Sequence, residues 1–202
     1  MKNYTVWCDG ACPNNGKQGA RSSYGIVFNY GTPDEACLNG VIEGEQHTNN
    51  RAELLAFIKA MECFIGIEPQ DANITVYTDS NYLVQGYNQW LKGWVAKGYR
   101  TSQNEQIANR DLWEVIERYK MQYSPVVVHV RGHAGNEGNE LADKLANMAL
   151  AGNFVDTISK GDFKELEPDY KALLKDVLAM LHEASIVDDI VTIREYIELK
   201  LN

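Results

Sequence analysis

Four acidic side chains occupy positions in this sequence where an acid is costly. Asp9 closes the run YTVWCD on the alternating face of Thr5 and Trp7, and Asp79 closes NITVYTDS on the face of Thr75 and Tyr77. Glu53 begins the helical row Glu53, Phe57, Ala60, Phe64, spaced as one apolar stripe. Asp143 stands beside Ala142 and Ala146 in NELADKLANMAL. An ionised carboxylate facing a core needs a compensating partner. Singly, each has an ordinary explanation: Asp9 before Gly10 reads as a turn, and Asp143 as a polar helix position. Together they repel one another unless cations lie among them. All-oxygen donors suit Mg²⁺ or Mn²⁺, with water and a substrate phosphate completing the coordination. The implied chemistry is that of divalent ions acting on a phosphate-bearing substrate.

The stretch RGHAGNEGNELADKLA, residues 131–146, adds a different kind of group. His133 lies between Gly132 and the pair Gly135 and Gly138, with no cysteine or second histidine at zinc-ligand spacing. It reads as a mobile acid–base arm. Glu137 and Glu140 read as helix-start acids, favourable near the positive end of the helix dipole.

Positioning these groups requires strands that end together and helices that carry acids inward. Residues 4–9 are apolar on both alternating faces, which predicts a central strand covered on both sides. SYGIVFNY and EACLNGVIEGE continue it as an antiparallel meander. Residues 50–65 have helical periodicity, with Leu54, Ile58, Met61 and Ile65 in one row. NITVYTDS is a further strand, after which Ser80 caps a helix starting at Asn81. A capping box at Ser102 and Glu105 predicts another helix reaching about Tyr123. PVVVHV, residues 125–130, reads as a buried strand before a last helix over 139–150. The order β-β-β-α-β-α-α-β-α predicts an α/β fold: a five-stranded mixed sheet with helices on both faces. If the strands of Asp9 and Asp79 are parallel neighbours, both acids emerge at carboxyl ends, where open sheets of this class place ligands.

Beyond residue 152 the pattern changes. DYKALLKDVLAMLHEA aligns Tyr170, Leu173, Leu174, Val177, Leu178 and Leu181. Ile186, Ile190, Ile193 or Arg194, Ile197 and Leu201 suggest a second helix, with strand pairing of IVDDIVTI as the alternative. The expected organisation is a domain over 1–152 and an acidic helical extension over 153–202. For the extension, packing on the domain, homodimerisation and a replication-protein contact are the alternatives.

The bulk composition is that of a globular protein: 202 residues, 45 % hydrophobic and 23 % charged. The net charge of −9 at first opposes a nucleic-acid partner. Residues 1–150 hold 13 cationic and 17 anionic side chains, and residues 151–202 hold 6 and 11, so the net charges are −4 and −5. More than half of the acidity therefore lies in the extension, and the remainder equals the charge of four carboxylates. No apolar run of membrane-spanning length occurs, and MKNYTVWCDG has no apolar signal core. Cys8, Cys12, Cys37 and Cys63 form no Cys-x-x-Cys pair. A cytoplasmic protein with reduced cysteines and no membrane partner is expected.

Four blocks then give a resemblance. YTVWCDGACPNNG, QHTNNRAELLA, VYTDSNYLVQGYNQW and VRGHAGNEGNELADKLA, in that order, resemble the signatures of type 1 ribonuclease H across about residues 3–150. The resemblance implies the ribonuclease H-like fold and hydrolysis of the RNA strand of RNA–DNA hybrids by a two-metal-ion mechanism, leaving 3′-hydroxyl and 5′-phosphate ends. It implies two Mg²⁺ ions per site, with Mn²⁺ as a substitute. Asp9, Glu53, Asp79 and Asp143 match the four metal-binding carboxylates, Asp9 as the bridging one and Glu53 also meeting a ribose 2′-OH. His133 matches the histidine of the flexible loop. Asn15, Thr48, Asn49 and Asn50 match polar positions beside the hybrid backbone, and Asn81 stands where the family more often has glutamine. Trp90 and Trp94 match aromatics that open the family's basic handle, with Trp90 and Thr48 holding the DNA strand. The handle here, residues 91–104, carries only Lys92, Lys97 and Arg100, which predicts weaker substrate binding. A metal-dependent DNase or resolvase of the same fold, and a non-catalytic hybrid-binding module, are the alternative readings.

Overall fold

The structure is a computed structural model that describes residues 2–158. The predicted helical extension lies outside the described residues from 159 onward.

Strand β1 (Lys2–Ala11) turns Tyr4, Val6 and Cys8 to one side and Thr5, Trp7 and Asp9 to the other. It pairs antiparallel with β2 (Ser22–Phe28) and parallel with β4 (Ala72–Thr78). β3 (Ala36–Ile42) lies beyond β2, and β5 (Val126–His129) lies beyond β4. The order β3-β2-β1-β4-β5 is the expected five-stranded mixed sheet with β1 at its centre. β5 departs from the buried strand predicted. Val126 is 55 % exposed, and within the strand only Val127 is buried. Val127 faces the helical core on one side of the sheet, while the helix on the other side packs on β1, β2 and β3 and leaves that face of β5 largely uncovered.

Helices α1 (Asn49–Glu62) and α4 (Arg110–Tyr123) pack on one face. There Val6, Cys8, Ile26, Phe28, Ile74 and Val76 meet Leu54, Phe57, Met61, Phe64, Trp113 and Ile116. α2 (Asn81–Gln85) and α3 (Leu91–Ala96) join this core through Leu83, Tyr87 and Leu91. A π-helical turn over Gly86–Trp90 connects them. α5 (Glu137–Leu150) covers the opposite face, setting Ala142 and Leu145 against Val27. Its approach depends on Gly25, where a β-carbon would lie 2.1 Å from the Ala142 carbonyl oxygen.

Two helix boundaries differ from expectation for local reasons. The Ser102–Glu105 box starts no helix. Asn104 adopts φ 65°, Thr101 N–H donates to the Glu105 carbonyl, and Arg100 bridges Gln106, so the segment forms a small hairpin. A left-handed residue breaks helix propagation, and α4 begins only after Asn109, itself at φ 56°. At the end of α1 the helix stops at Glu62 and Gly66 turns the chain at φ 97°, which leaves Ile65 47 % exposed instead of extending its row.

The chain stays on the sheet after α5. Asn39 N–H donates to the Val155 carbonyl at 3.0 Å, and Thr157 N–H donates to the Cys37 carbonyl at 2.9 Å. The buried Asn39 amide closes the join. Its Oδ1 accepts from Val155 N–H at 2.7 Å, and its Nδ2 donates to the carbonyls of Leu145 and Asn153. No helix among the described residues is long and apolar enough to cross a membrane.

Candidate active site

The sheet brings the first two acids together. The parallel register of β1 and β4 runs to Trp7 opposite Tyr77, so Asp9, near the end of β1, and Asp79, just past β4, leave the sheet at the same edge. Asp9 Oδ1 accepts the Gly10 N–H at 2.7 Å. Gly10 also lets α1 in: a β-carbon there would lie 2.2 Å from the Ala52 carbonyl carbon and 2.4 Å from Glu53 N. Glu53 thus enters from the side of the α1 core, where Phe57, Ala60 and Phe64 of its stripe are fully buried.

Each of these acids then meets an uncharged donor. Ser80 Oγ donates to Glu53 Oε2 while accepting the Leu83 N–H at 3.1 Å as the cap of α2. Asn139 Nδ2 donates to Asp79 Oδ2 at 3.1 Å. Asp143, one turn further along α5, accepts from Asn147 Nδ2 at 2.9 Å. None of the four acids has a salt-bridge partner among the described residues.

The electrostatics show that the four share one field. Burial, then the charges of Asp79 and Asp143, push the Asp9 carboxyl up to about 7, with Glu53 adding to the rise and the Gly10 N–H opposing it. Glu53 is also raised, first by burial and then by Asp79, against the lowering effect of the Ser80 bond. Among the described residues no three His, Cys, Asp or Glu side chains close around a single point. An open, all-carboxylate site of this kind suits Mg²⁺, which keeps several waters and uses few protein ligands.

The loop between β5 and α5 stands over this edge. Gly132 is so close to Asp79 that a β-carbon would lie 2.6 Å from Oδ2. His133 and Ala134 are exposed, with His133 at φ 51°. The loop is fastened where the helix begins: Asn136 caps α5, and Glu140 Oε1 accepts the Gly135 N–H at 3.0 Å. Glu137 accepts from the Tyr30 hydroxyl at 3.1 Å. Both glutamates lie in the first turn, as their reading as helix-start acids requires.

The other site residues fall into two groups. Asn15 Oδ1 accepts the Asn49 N–H at 2.9 Å, Thr48 caps α1, and Asn49 and Asn50 are exposed on its first turn. Beside them a cavity of about 480 Å³ is lined by Gly16–Ala20 and Glu45–Thr48. Arg51 ties this end of α1 to α4 through a bidentate pair with Asp111 at 3.0 and 2.7 Å. Asn81 is exposed at the start of α2. Trp90, 36 % exposed, lies 5.5 Å from Trp94, which packs in turn on the buried Trp113.

The sequence reading missed Ser80 as a partner of Glu53 and Asn139 as a partner of Asp79. A signal existed for the second: Asn139 stands four residues before Asp143, on the same helical face.

With this geometry in place, likeness to known proteins is informative. The family model described as RNase H matches residues 1–151. The ribonuclease H of Francisella philomiragia subsp. philomiragia is 38 % identical over 149 residues, which is 74 % of this chain and 91 % of that protein. The ribonuclease H of Ruthia magnifica subsp. Calyptogena magnifica is 37 % identical over 150 residues, 74 % of this chain and 97 % of its own. Among solved structures, LC9-RNase H1, a type 1 RNase H with the type 2 active-site motif, superposes with a TM-score of 0.63 at 27 % identity. That match covers 81 % of this chain and 79 % of the other.

Proposed function

Because the chain belongs to the ribonuclease H family, nucleases that cut the RNA strand of RNA–DNA hybrids, we propose that Asp9, Glu53, Asp79 and Asp143 hold two Mg²⁺ ions and that hydrolysis leaves 3′-hydroxyl and 5′-phosphate ends. The observation that carries this reading is Asp9. It is a partly buried carboxylate lifted to about 7 by burial and three like charges, with no salt-bridge cation beside it among the described residues. Four hard oxygen donors without a thiolate or imidazole among them fit Mg²⁺, with Mn²⁺ as a substitute. When bound, the ions supply positive charge to the attacking and leaving oxygens of an in-line displacement.

The chain's own residues do the rest. β1 and β4 hold Asp9 and Asp79 on rigid strand ends, and α1 carries Glu53 to where a ribose 2′-OH separates RNA from DNA. His133, on a glycine-flanked loop, passes a proton to or from the leaving 3′ oxygen. Asn15, Thr48, Asn49 and Asn50 take the hybrid backbone on the α1 side, while Asn81 and Trp90 receive it on the α2–α3 side. The four cysteines are all unpaired, which fits a reducing, cytoplasmic setting. For the extension we propose self-association or docking to a replication protein. Size measurement of the full chain against one ended after Ile158 tests the first: identical monomers exclude it.

The decisive experiment follows a labelled RNA–DNA hybrid beside RNA and DNA duplexes, with Mg²⁺ or with EDTA. The RNA strand of the hybrid alone should be cut, only with Mg²⁺, and its products should need dephosphorylation before 5′ labelling. Equal cutting of duplex DNA, or tight hybrid binding without cutting, would overturn the reading. His133→Ala should lower kcat by about a hundredfold, the lower range for a lost acid–base group. Its Mg²⁺ requirement should stay unchanged, because His133 is exposed and outside the carboxylate cluster. Steady-state rates across a Mg²⁺ series check both statements.

A further inference from the structure

Asn139 is an uncharged side chain that spends its burial on an acid. It lies in the first turn of α5, 2 % exposed, between Gly138, which rests on the Trp7 indole, and the fully buried Ala142. Its backbone N–H is satisfied by the Asn136 cap at 3.1 Å, so the side chain is not needed to start the helix. An apolar residue would fill such a position without desolvating an amide. The amide instead donates from Nδ2 to Asp79 Oδ2, while its Oδ1 is buried and has no partner among the described residues. The same Asp79 oxygen is closed from another side by the Gly132 backbone. One carboxylate oxygen is therefore held between a loop and a helix.

We propose that Asn139 is a positioning residue for Mg²⁺. Its amide holds Asp79 Oδ2 and so fixes the plane of the carboxylate that would ligate the ion. The proposal rests on the reading of Asp79 as a metal ligand. Residues that orient metal ligands in this way contribute strongly to affinity. A buried amide committed to one carboxylate oxygen is accounted for by the need to hold that ligand in place. Asn139 also sits between the fastened end of the His133 loop and Asp143, so a single helical turn aligns the arm with two ligands.

The test uses the full chain without hybrid, titrated with Mg²⁺ and followed by calorimetry and by the side-chain amide resonances in NMR. Asn139→Ala should weaken Mg²⁺ binding by about 10- to 100-fold, and kcat should recover as Mg²⁺ is raised while KM for hybrid stays within about threefold. In the parent, the Asn139 amide protons should shift on Mg²⁺ addition, and the shift should vanish in Asp79→Asn. Asn139→Leu keeps the branched shape and removes the donor without adding charge. It should also weaken binding, and it serves if the alanine variant does not fold. In an Asp79→Asn background, already deficient in binding, Asn139→Ala should add no further loss. If Asp79→Asn binds Mg²⁺ like the parent, the metal-ligand reading itself falls. If Asp79→Asn loses Mg²⁺ while both Asn139 variants bind like the parent, the role given to Asn139 falls alone.

Discussion

Asp9→Asn should lower hybrid cleavage by at least about a thousandfold, because the charge stabilisation assigned to the metal site is worth several kcal/mol of barrier. The same variant should be more stable than the parent in EDTA. Asn keeps the shape of Asp and an Oδ1 acceptor for the Gly10 N–H, but it removes a buried charge from the field of Asp79, Asp143 and Glu53. The pH dependence has a definite sign. The folded carboxyl titrates near 7 against an ordinary value of 3.8. Between those values the folded state binds more protons than the unfolded one, so stability falls as pH rises. The favourable contribution of the neutral form is complete below about 4 and is lost as pH passes through about 7. Above that the ionised group costs on the order of a few kcal/mol. Melting in EDTA from pH 4 to pH 8 should show a steeper decline for the parent than for Asp9→Asn, with the variant several degrees higher at pH 8. Mg²⁺ should raise the parent's Tm and leave the variant's nearly unchanged. A variant that melts lower at pH 8, or that cuts within tenfold of the parent, is incompatible with a carboxylate cluster centred on Asp9.

The second large effect belongs to a residue with no chemistry. Gly10→Ala should cost about 2–4 kcal/mol of stability, at the upper end for overpacking. The added carbon meets the Ala52 carbonyl carbon at 2.2 Å and Glu53 N at 2.4 Å, and backbone atoms cannot rotate aside. α1 must move away, and Glu53 moves with it. A displacement of about 1 Å at a catalytic group typically costs about a hundredfold in rate. Cleavage should therefore fall by that order even in the folded fraction. Gly93→Ala is the matched control. Gly93 lies in α3 with nothing within 4 Å of an added carbon, so the helix should gain roughly 0.5–1 kcal/mol. Thermal melts and kcat for the two variants decide the matter, and parental values for Gly10→Ala would show that the close approach does not constrain the site.

Much of this arrangement was legible because buried charge leaves a mark in an apolar pattern. Asp9 and Asp79 ended hydrophobic runs, and Glu53 interrupted a stripe whose other members proved fully buried. Ser80 was readable as a cap because its hydroxyl acts three residues away, at Leu83 N–H. Its bond to Glu53 and that of Asn139 to Asp79 span 27 and 60 residues, and no local pattern encodes them. The Ser102–Glu105 box failed for a related reason: a cap works only if the backbone beyond it is right-handed, and Asn104 is not. PVVVHV looked buried because its composition is apolar, yet whether both faces of an outer strand are covered depends on where along the sheet α5 packs. Trp90 and Trp94 were equivalent in NQWLKGW, and only the position of Trp113 makes one a packing residue and the other an exposed ring.

The clasp that Asn39 makes with residues 153–157 also insulates β3. An unpaired outer strand is a template that recruits further strands, and here the chain's own continuation occupies part of that template. Shortening the protein to Gly152 would strip this cover, expose β3 backbone groups and leave the Oδ1 of the buried Asn39 without its partner. Sticking between such shortened chains would then be a property of a raw edge, created by the cut. The informative place to divide the protein is after Ile158, where the sheet keeps its own sheath.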